Sequence, residues 1–402
     1  MIRVGRWSEL APHLLSRTAS PEVRERVEEI VRDVEERGWE ALREWSLRLD
    51  GIEPAAYTRR EMEEEWRRLP PRLAWALSTA ARRIREVHEA QLPQPVEAPG
   101  PVAARTVWRP LRVAAIYAPG GRHPYPSTLL MAAIPARVAG VEHVAAASPL
   151  KTPEARRIML AAARLAEVDV LLSAGGAQAV AALALGLAAP PADKIVGPGG
   201  PYVQEAKRLL QGKTGIDMVA GPTELVAISD GTGDPEDLAL DLAAQAEHGP
   251  GGLSLLLDTE EEHLRAVGEA LEPLHAPGHA DIYLALVDSI GEAVEAANRV
   301  APEHLLIYTR NPSALLPRVV NAGAVSLGTP PALLDYTAGT NHILPTGGWA
   351  RWRGGLTVYD YLKPVYVVEG LDEELAEAAA EIAEAEGMKL HAESIKRRLQ
   401  NI

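Results

Sequence analysis

The chain has 402 residues, with no cysteine and no phenylalanine among them. The first absence excludes disulfides, zinc–thiolate centres and a cysteine nucleophile. Any metal site must therefore use His, Asp, Glu or neutral oxygen donors. The second absence, beside 8 Trp and 10 Tyr, reads as coding bias and carries no functional weight. No apolar run approaches the ~18 residues of a membrane span. Residues 1–9 lack the apolar core of a secretion signal, so a cytoplasmic protein without membrane attachment is expected. Basic residues are outnumbered, 41 against 55 acidic, for a net charge of −14. That balance argues against a nucleic-acid partner, whose phosphates require basic patches. The phosphate-binding signatures G-x-G-x-x-G after a strand and the P-loop are also missing.

What is present describes an ordinary globular protein, with 47% hydrophobic and 24% charged residues. Its length suggests two or three domains at roughly 150 residues each. Residues 1–18 read as a helical arm. Ser20-Pro21 opens a helix, a cap followed by Pro in the first turn. Val23, Val27, Ile30 and Val34 then form one apolar face at helical spacing. Another helix is expected over 70–92, and nothing in 1–92 signals chemistry. From residue 111 the pattern changes. Short apolar runs at 113–117, 143–147 and 168–172 alternate with helical segments, and glycine pairs follow at 120–121, 175–176 and 199–200. Such alternation predicts βαβ units and a parallel sheet, with the Gly turns at the carboxyl ends of strands, where open α/β sheets bind ligands. A second block supplies strands at 225–229, 253–257, 282–287, 305–308 and 324–327. The predicted fold is α/β, with two Rossmann-like parallel-sheet units split near residue 224 and helical appendages at both ends. The tail from 355 onward is read as helical, most clearly over 371–386.

Four places carry side chains suited to catalysis. The tract 328–355 is rich in Gly, Pro and Thr, and such a long loop in a compact domain is usually functional. It holds Asp335 and His342. Gln245 and His248 stand three apart near a helix end, on one face; a histidine there can also serve only the helix dipole. Glu303-His304 precedes a strand and offers a base and a proton shuttle, or else an exposed polar turn. His391 lies in the helical tail, where surface histidines are common. On the residues alone, the reading is a two-unit α/β enzyme with a metal site of nitrogen and oxygen donors.

Longer motifs add a resemblance to the histidinol dehydrogenase family over nearly the whole chain. It is carried by Tyr117-Ala-Pro-Gly-Gly121, Gly175-Gly-Ala-Gln178, Asp193-Lys-Ile-Val-Gly-Pro-Gly199 and Gly221-Pro-Thr-Glu224. It continues in Gln245-Ala-Glu-His-Gly249, Pro302-Glu-His-Leu305, Asp335-Tyr-Thr-Ala-Gly-Thr-Asn-His342 and Leu344-Pro-Thr346. The resemblance implies zinc- and NAD-dependent oxidation of L-histidinol to L-histidine through the aldehyde, in histidine biosynthesis, by a homodimer. It implies zinc ligands Gln245, His248, Asp335 and His391, and a catalytic pair Glu303 and His304. Substrate contacts would fall on Thr223, Gln245, His248, His304, Asp335, His342, Glu386 and His391, and NAD contacts on Tyr117, Gln178 and Gly200. Gly200 replaces a usual Asn, Leu334 a usual Gly, Gly354-Gly355 usual serines, and Thr223 a Ser whose hydroxyl it keeps. The implied domains are a first, discontinuous α/β domain of 19–112 and 225–354 and a second, NAD-side domain of 113–224. A tail of 355–402 would contribute to the partner's site. Aldehyde oxidation often proceeds through a cysteine adduct; with no cysteine here, water must add instead, and Glu303 is the natural base. Three alternatives stand beside this reading: a dehydrogenase of another amino or hydroxy alcohol, a zinc hydrolase using Glu303, and a non-catalytic metal-stabilised protein.

Overall fold

The computed structural model describes residues 1–14, 21–121 and 123–399. They form two compact units, the first made of 1–91 and 111–361, the second of 92–110 and 362–402.

The first unit contains two six-stranded sheets. One has the order β1 (Ile2–Arg6), β12 (Asp281–Leu286), β11 (Leu253–Asp258), β10 (Glu224–Ser229), β13 (His304–Tyr308), β14 (Ala324–Leu327) and is wholly parallel. β10 and β11 are buried at every position, as expected for parallel strands covered on both faces. Period-two alternation divides their side chains between two cores. Val226 and Ile228 join Leu255 and Leu257 on one face, while Leu225 and Ala227 join Leu256 on the other.

The other sheet has the order β2 (Ala56–Thr58), β7 (Val170–Ser173), β6 (His143–Ser148), β5 (Val113–Tyr117), β8 (Lys194–Val196), β9 (Gly215–Ile216). It is parallel except for β2 against β7. In each sheet the chain lays down strands in one direction and then reverses. The switch falls between β5 and β8 here, and between β10 and β13 in the first sheet.

The second unit is a three-stranded antiparallel sheet, β15 (Leu362–Gly370), β4 (Val102–Pro110), β3 (Val96–Ala98), with the helices Glu373–Ala385 and Lys389–Leu399. Its buried cluster consists of Ala380, Ala383 and Ala392. Tyr366, Val368, Ile382 and Leu390 are each at least 60% exposed.

Several expectations need correction. Residues 1–18 are not a helical arm: Ile2–Arg6 is an edge strand, and the helix is Trp7–Leu14. Residues 15–18 and the Ser20 cap lie outside the described residues. Alternating polar side chains on an exposed edge strand left no apolar run to detect. The helices of 21–90 do not join the 225–354 sheet. Val27, Ile30, Val34, Leu42 and Trp45 share one core with Ala115, Ala147 and Leu172 of the other sheet, and Ala56–Thr58 extends that sheet. Helical periodicity identifies a buried face and not what covers it. The tail is not purely helical and does not begin at 355, because β15 pairs along its length with β4. Asp335 sits in a short helix, Pro331–Tyr336, and not in a plain loop.

Candidate active site

A cavity of about 420 Å³ opens within the first unit, in the size range of small-molecule sites. One wall is the switch point of the β5–β8 sheet. Pro119 follows β5, and Gly197 to Gly200 follow β8. This is the carboxyl-end crevice where doubly wound sheets take ligands. The opposite wall is the amino end of the other sheet. Thr223 precedes β10, Glu303 precedes β13 and His304 is its first residue, with Leu225 and His304 in register. The Gly turn expected at a strand carboxyl end is found after β8, whereas the second sheet, for which no such turn is expected, contributes its amino ends.

A hydrogen-bonded row crosses that second wall. Gln245 Nε2 donates to Thr223 Oγ1 at 2.6 Å, and the Thr223 hydroxyl donates in turn to Glu303 Oε2. The same Glu303 oxygen accepts the Glu224 amide at 2.9 Å. Burial pushes the Glu303 carboxyl up to about 8, with the Thr223 and Glu224 hydrogen bonds opposing. His304 is pushed down to about 3 by burial, and further by the neighbouring rings of His342 and His248. Its Nε2 lies 3.5 Å from Asp335 Oδ1, and its Nδ1 is buried without a hydrogen-bond partner. Burial alone drives Asp335 up to about 7.

His342 is fixed from both sides. Nδ1 lies 2.8 Å from the Asp335 carbonyl oxygen, so it carries the proton, which leaves Nε2 to accept from Thr128 Oγ1 at 3.1 Å. Burial pushes this ring down to about 4. His248 lies past the end of the helix Pro235–Ala246, earlier than the expected stop, where Gly249 at φ +106° turns the chain. It lines the cavity and is exposed, yet desolvation still lowers its pKa.

Thr223, His248, Glu303, His304, Asp335, His342 and Gly200 thus line one cavity, and Gln245 is bonded to its wall. A side chain at Gly200 would meet nothing within 4 Å, so glycine leaves open space where the resemblance implies Asn. Tyr117 and Gln178 are buried and do not line this cavity. The Tyr117 phenol oxygen accepts the Gly176 amide at 3.1 Å, and burial raises its pKa to about 12. Gln178 Nε2 donates to Asp50 at 3.0 Å, while its Oε1 is buried without a partner. Glu386 and His391 belong to the second unit, where both are exposed on or beside its helices.

Sequence reasoning passed over Asp50, Thr128, Asn341 and Thr346. Asn341 is buried, donating to the Met131 carbonyl at 2.6 Å and accepting the Ile343 amide at 3.0 Å. Thr346 accepts the Gly221 amide. Both lie inside quoted motifs, which was the available signal; Asp50 and Thr128 carried none.

The donors fit a divalent cation of nitrogen and oxygen preference. Burial lowers the pKa of His248, His304 and His342, favouring the neutral imidazole that metal ligation requires, and burial raises that of Asp335. Among the described residues, no three His, Asp or Glu side chains converge closely enough to enclose a metal.

The family model described as histidinol dehydrogenase matches residues 15–399. The histidinol dehydrogenase of Saccharolobus solfataricus is 41% identical over 383 residues, covering 93% of this chain and 95% of that protein. That of Zymomonas mobilis is 42% identical over 405 residues, covering 95% and 94%. The crystal structure of histidinol dehydrogenase from Elizabethkingia anophelis superposes with a TM-score of 0.92 at 28% identity, covering 100% of this chain and 98% of that one. Matched over residues 15–399, the chain belongs to the histidinol dehydrogenase family of oxidoreductases.

Proposed function

We propose that this protein oxidises L-histidinol to L-histidine through the aldehyde, with two NAD⁺ as hydride acceptors and a zinc ion as cofactor, in the cytoplasm. The observation that carries the reading is the apposition of Glu303 and His304 with the Gly-rich switch-point turns across one cavity. Such a cavity has room to bring a hydride donor against a nicotinamide.

His304 lines the cavity with a ring that burial holds neutral, and it accepts the hydroxyl proton as hydride leaves the carbinol carbon for NAD⁺. Burial disfavours the imidazolium, so the proton moves on and does not rest there. Glu303 then takes a proton from water as the water oxygen bonds to the aldehyde carbon. Loss of hydride from that hydrate to the second NAD⁺ leaves the carboxylic acid. Thr223 and the Glu224 amide hold the Glu303 carboxylate in place, and Asp335 flanks His304. Gln245, His248, Asp335 and His391 are the residues to hold zinc. When bound, zinc supplies Lewis acidity toward the substrate hydroxyl.

His391 comes from the second unit, whose buried cluster is three alanines. So small a core cannot stand alone. We assign its exposed apolar residues to a two-fold contact with a second copy, so that the tail completes the partner's site.

NADH formation from L-histidinol by the metal-loaded protein tests the activity; no NADH with histidinol, but NADH with another amino alcohol, would replace the substrate. The zinc assignment is tested separately. His248→Ala is expected to lose most of the one metal ion bound per chain, read by elemental analysis of the purified protein. Full occupancy in the variant removes His248 as a ligand.

A further inference from the structure

The wall formed by Gly197 to Gly200 is held by a buried ion pair outside the catalytic row. Lys207 lies in the helix Pro201–Leu210 and is 0% exposed, and Asp217 follows β9 with its side chain fully enclosed. The two side chains form a salt bridge. Lys207 Nζ also donates to the Gly197 carbonyl at 2.9 Å, and Asp217 Oδ2 accepts the Gly197 amide at 2.8 Å. Both peptide groups of Gly197 are thus pinned by one pair. Asp217 Oδ1 additionally accepts the Met218 amide at 2.6 Å, and Asp217 and Met218 both line the cavity.

Gly197 itself shows why the pinning matters. Its φ is +122°, and a Cβ there would stand 2.1 Å from the Tyr117 carbonyl oxygen. The turn is laid directly against the end of β5, at the switch point. Gln204 adds a second tie, donating to the Gly199 carbonyl at 3.3 Å and accepting the Ala220 amide at 2.8 Å. Enclosing an ion pair costs several kcal/mol of desolvation per charge, and apolar replacements are often as stable or more so. Stability alone is therefore a weak reason for this pair, whereas a fixed position for the Gly197 peptides is a specific one.

We infer that Lys207 and Asp217 are positioning residues for the dinucleotide: by fixing both peptides of Gly197 they set the shape of the Gly197–Gly200 wall against which NAD⁺ lies. This rests on the NAD⁺ reading above. The pair bonds to the Gly197 and Met218 peptides and not to Glu303 or His304, so its loss is felt in dinucleotide binding first.

The test begins with NAD⁺ binding to the wild-type protein by calorimetry; no binding there removes the NAD⁺ reading itself, and this assignment with it. Asp217→Asn and Lys207→Met are then expected to raise KM for NAD⁺ by roughly tenfold or more while KM for histidinol moves little, the mark of lost binding at one site. Because either single change leaves a buried charge unpaired, the double variant Lys207→Met/Asp217→Leu is the deciding one. It is expected to fold, with a Tm lowered by the loss of the hydrogen bonds to the Gly197 and Met218 peptides, while KM for NAD⁺ stays raised by a similar, roughly tenfold factor. A double variant that recovers the wild-type KM for NAD⁺ overturns the assignment, as does an equal rise in both KM values. Failure of the double variant to fold also overturns it, since the pair would then be structural.

Discussion

Oxidation of added aldehyde is expected to fall by about 100-fold or more in Glu303→Gln, the scale of losing a general base, while oxidation of the alcohol to the aldehyde falls much less. The amide keeps the size of the side chain, and its oxygen can still accept from the Glu224 amide, so the wall is not rebuilt. What is lost is an atom that can take a proton from water. In the first half-reaction His304 takes the proton, and it is unchanged. The wild-type pH profile provides a second readout. Burial raises Glu303 to about 8, so the basic form grows as pH rises through that value. The aldehyde step should climb with pH across that interval, and the variant should lose the climb. Equal losses in both half-reactions would remove Glu303 from its assigned role.

Mixing two variants that are each defective in aldehyde oxidation is expected to restore that step from near zero. His391→Ala lacks a residue of the second unit and Glu303→Gln one of the first. In a two-fold dimer with exchanged tails, each mixed dimer carries one site with both lesions and one with neither. At equal mixing and free exchange, about a quarter of all sites are intact. If each chain completes its own site, every site keeps one lesion and mixing restores nothing. Measuring activity against time of subunit exchange separates the two outcomes, with each variant incubated alone as the control.

How far these residues were legible in the sequence depends on what kind of pattern each left. The inner strands announce themselves: Val113–Tyr117 and Leu253–Asp258 are buried at every position, so the first appears as an unbroken apolar run and the second as one interrupted only by Ser254 before its closing Asp258. β1 and β15 do not, because most of their side chains face solvent. The helices of 21–90 were legible as helices and misplaced as to sheet, since their apolar stripe fits either. The site is a different case. Glu303 is bonded to Thr223, 80 residues away, and Asp335 lies beside His304. No spacing rule joins such positions, and only the ordered set of motifs did. Lys207 and Asp217 left no pattern at all: a lysine in an amphipathic helix reads as solvated surface, and its burial is a property of the assembled fold.

The pairing of β1 with β12 has a consequence for how the chain comes to be folded. Ile2 meets Ile282 in register, and the strand is fastened by ion pairs from Arg3 to Asp281 and from Arg6 to Asp288. On the ribosome, at ~5–20 residues per second, the first strand waits roughly a quarter of a minute to a minute for its partner to be made. During that interval the sheet built on β5, whose strands are closer in sequence, can already form. The sheet that carries Glu303 cannot close its edge until most of the protein has emerged. Arginines on a waiting strand discourage it from pairing with a neighbouring nascent chain. The chemistry is thus completed last, on a frame assembled first.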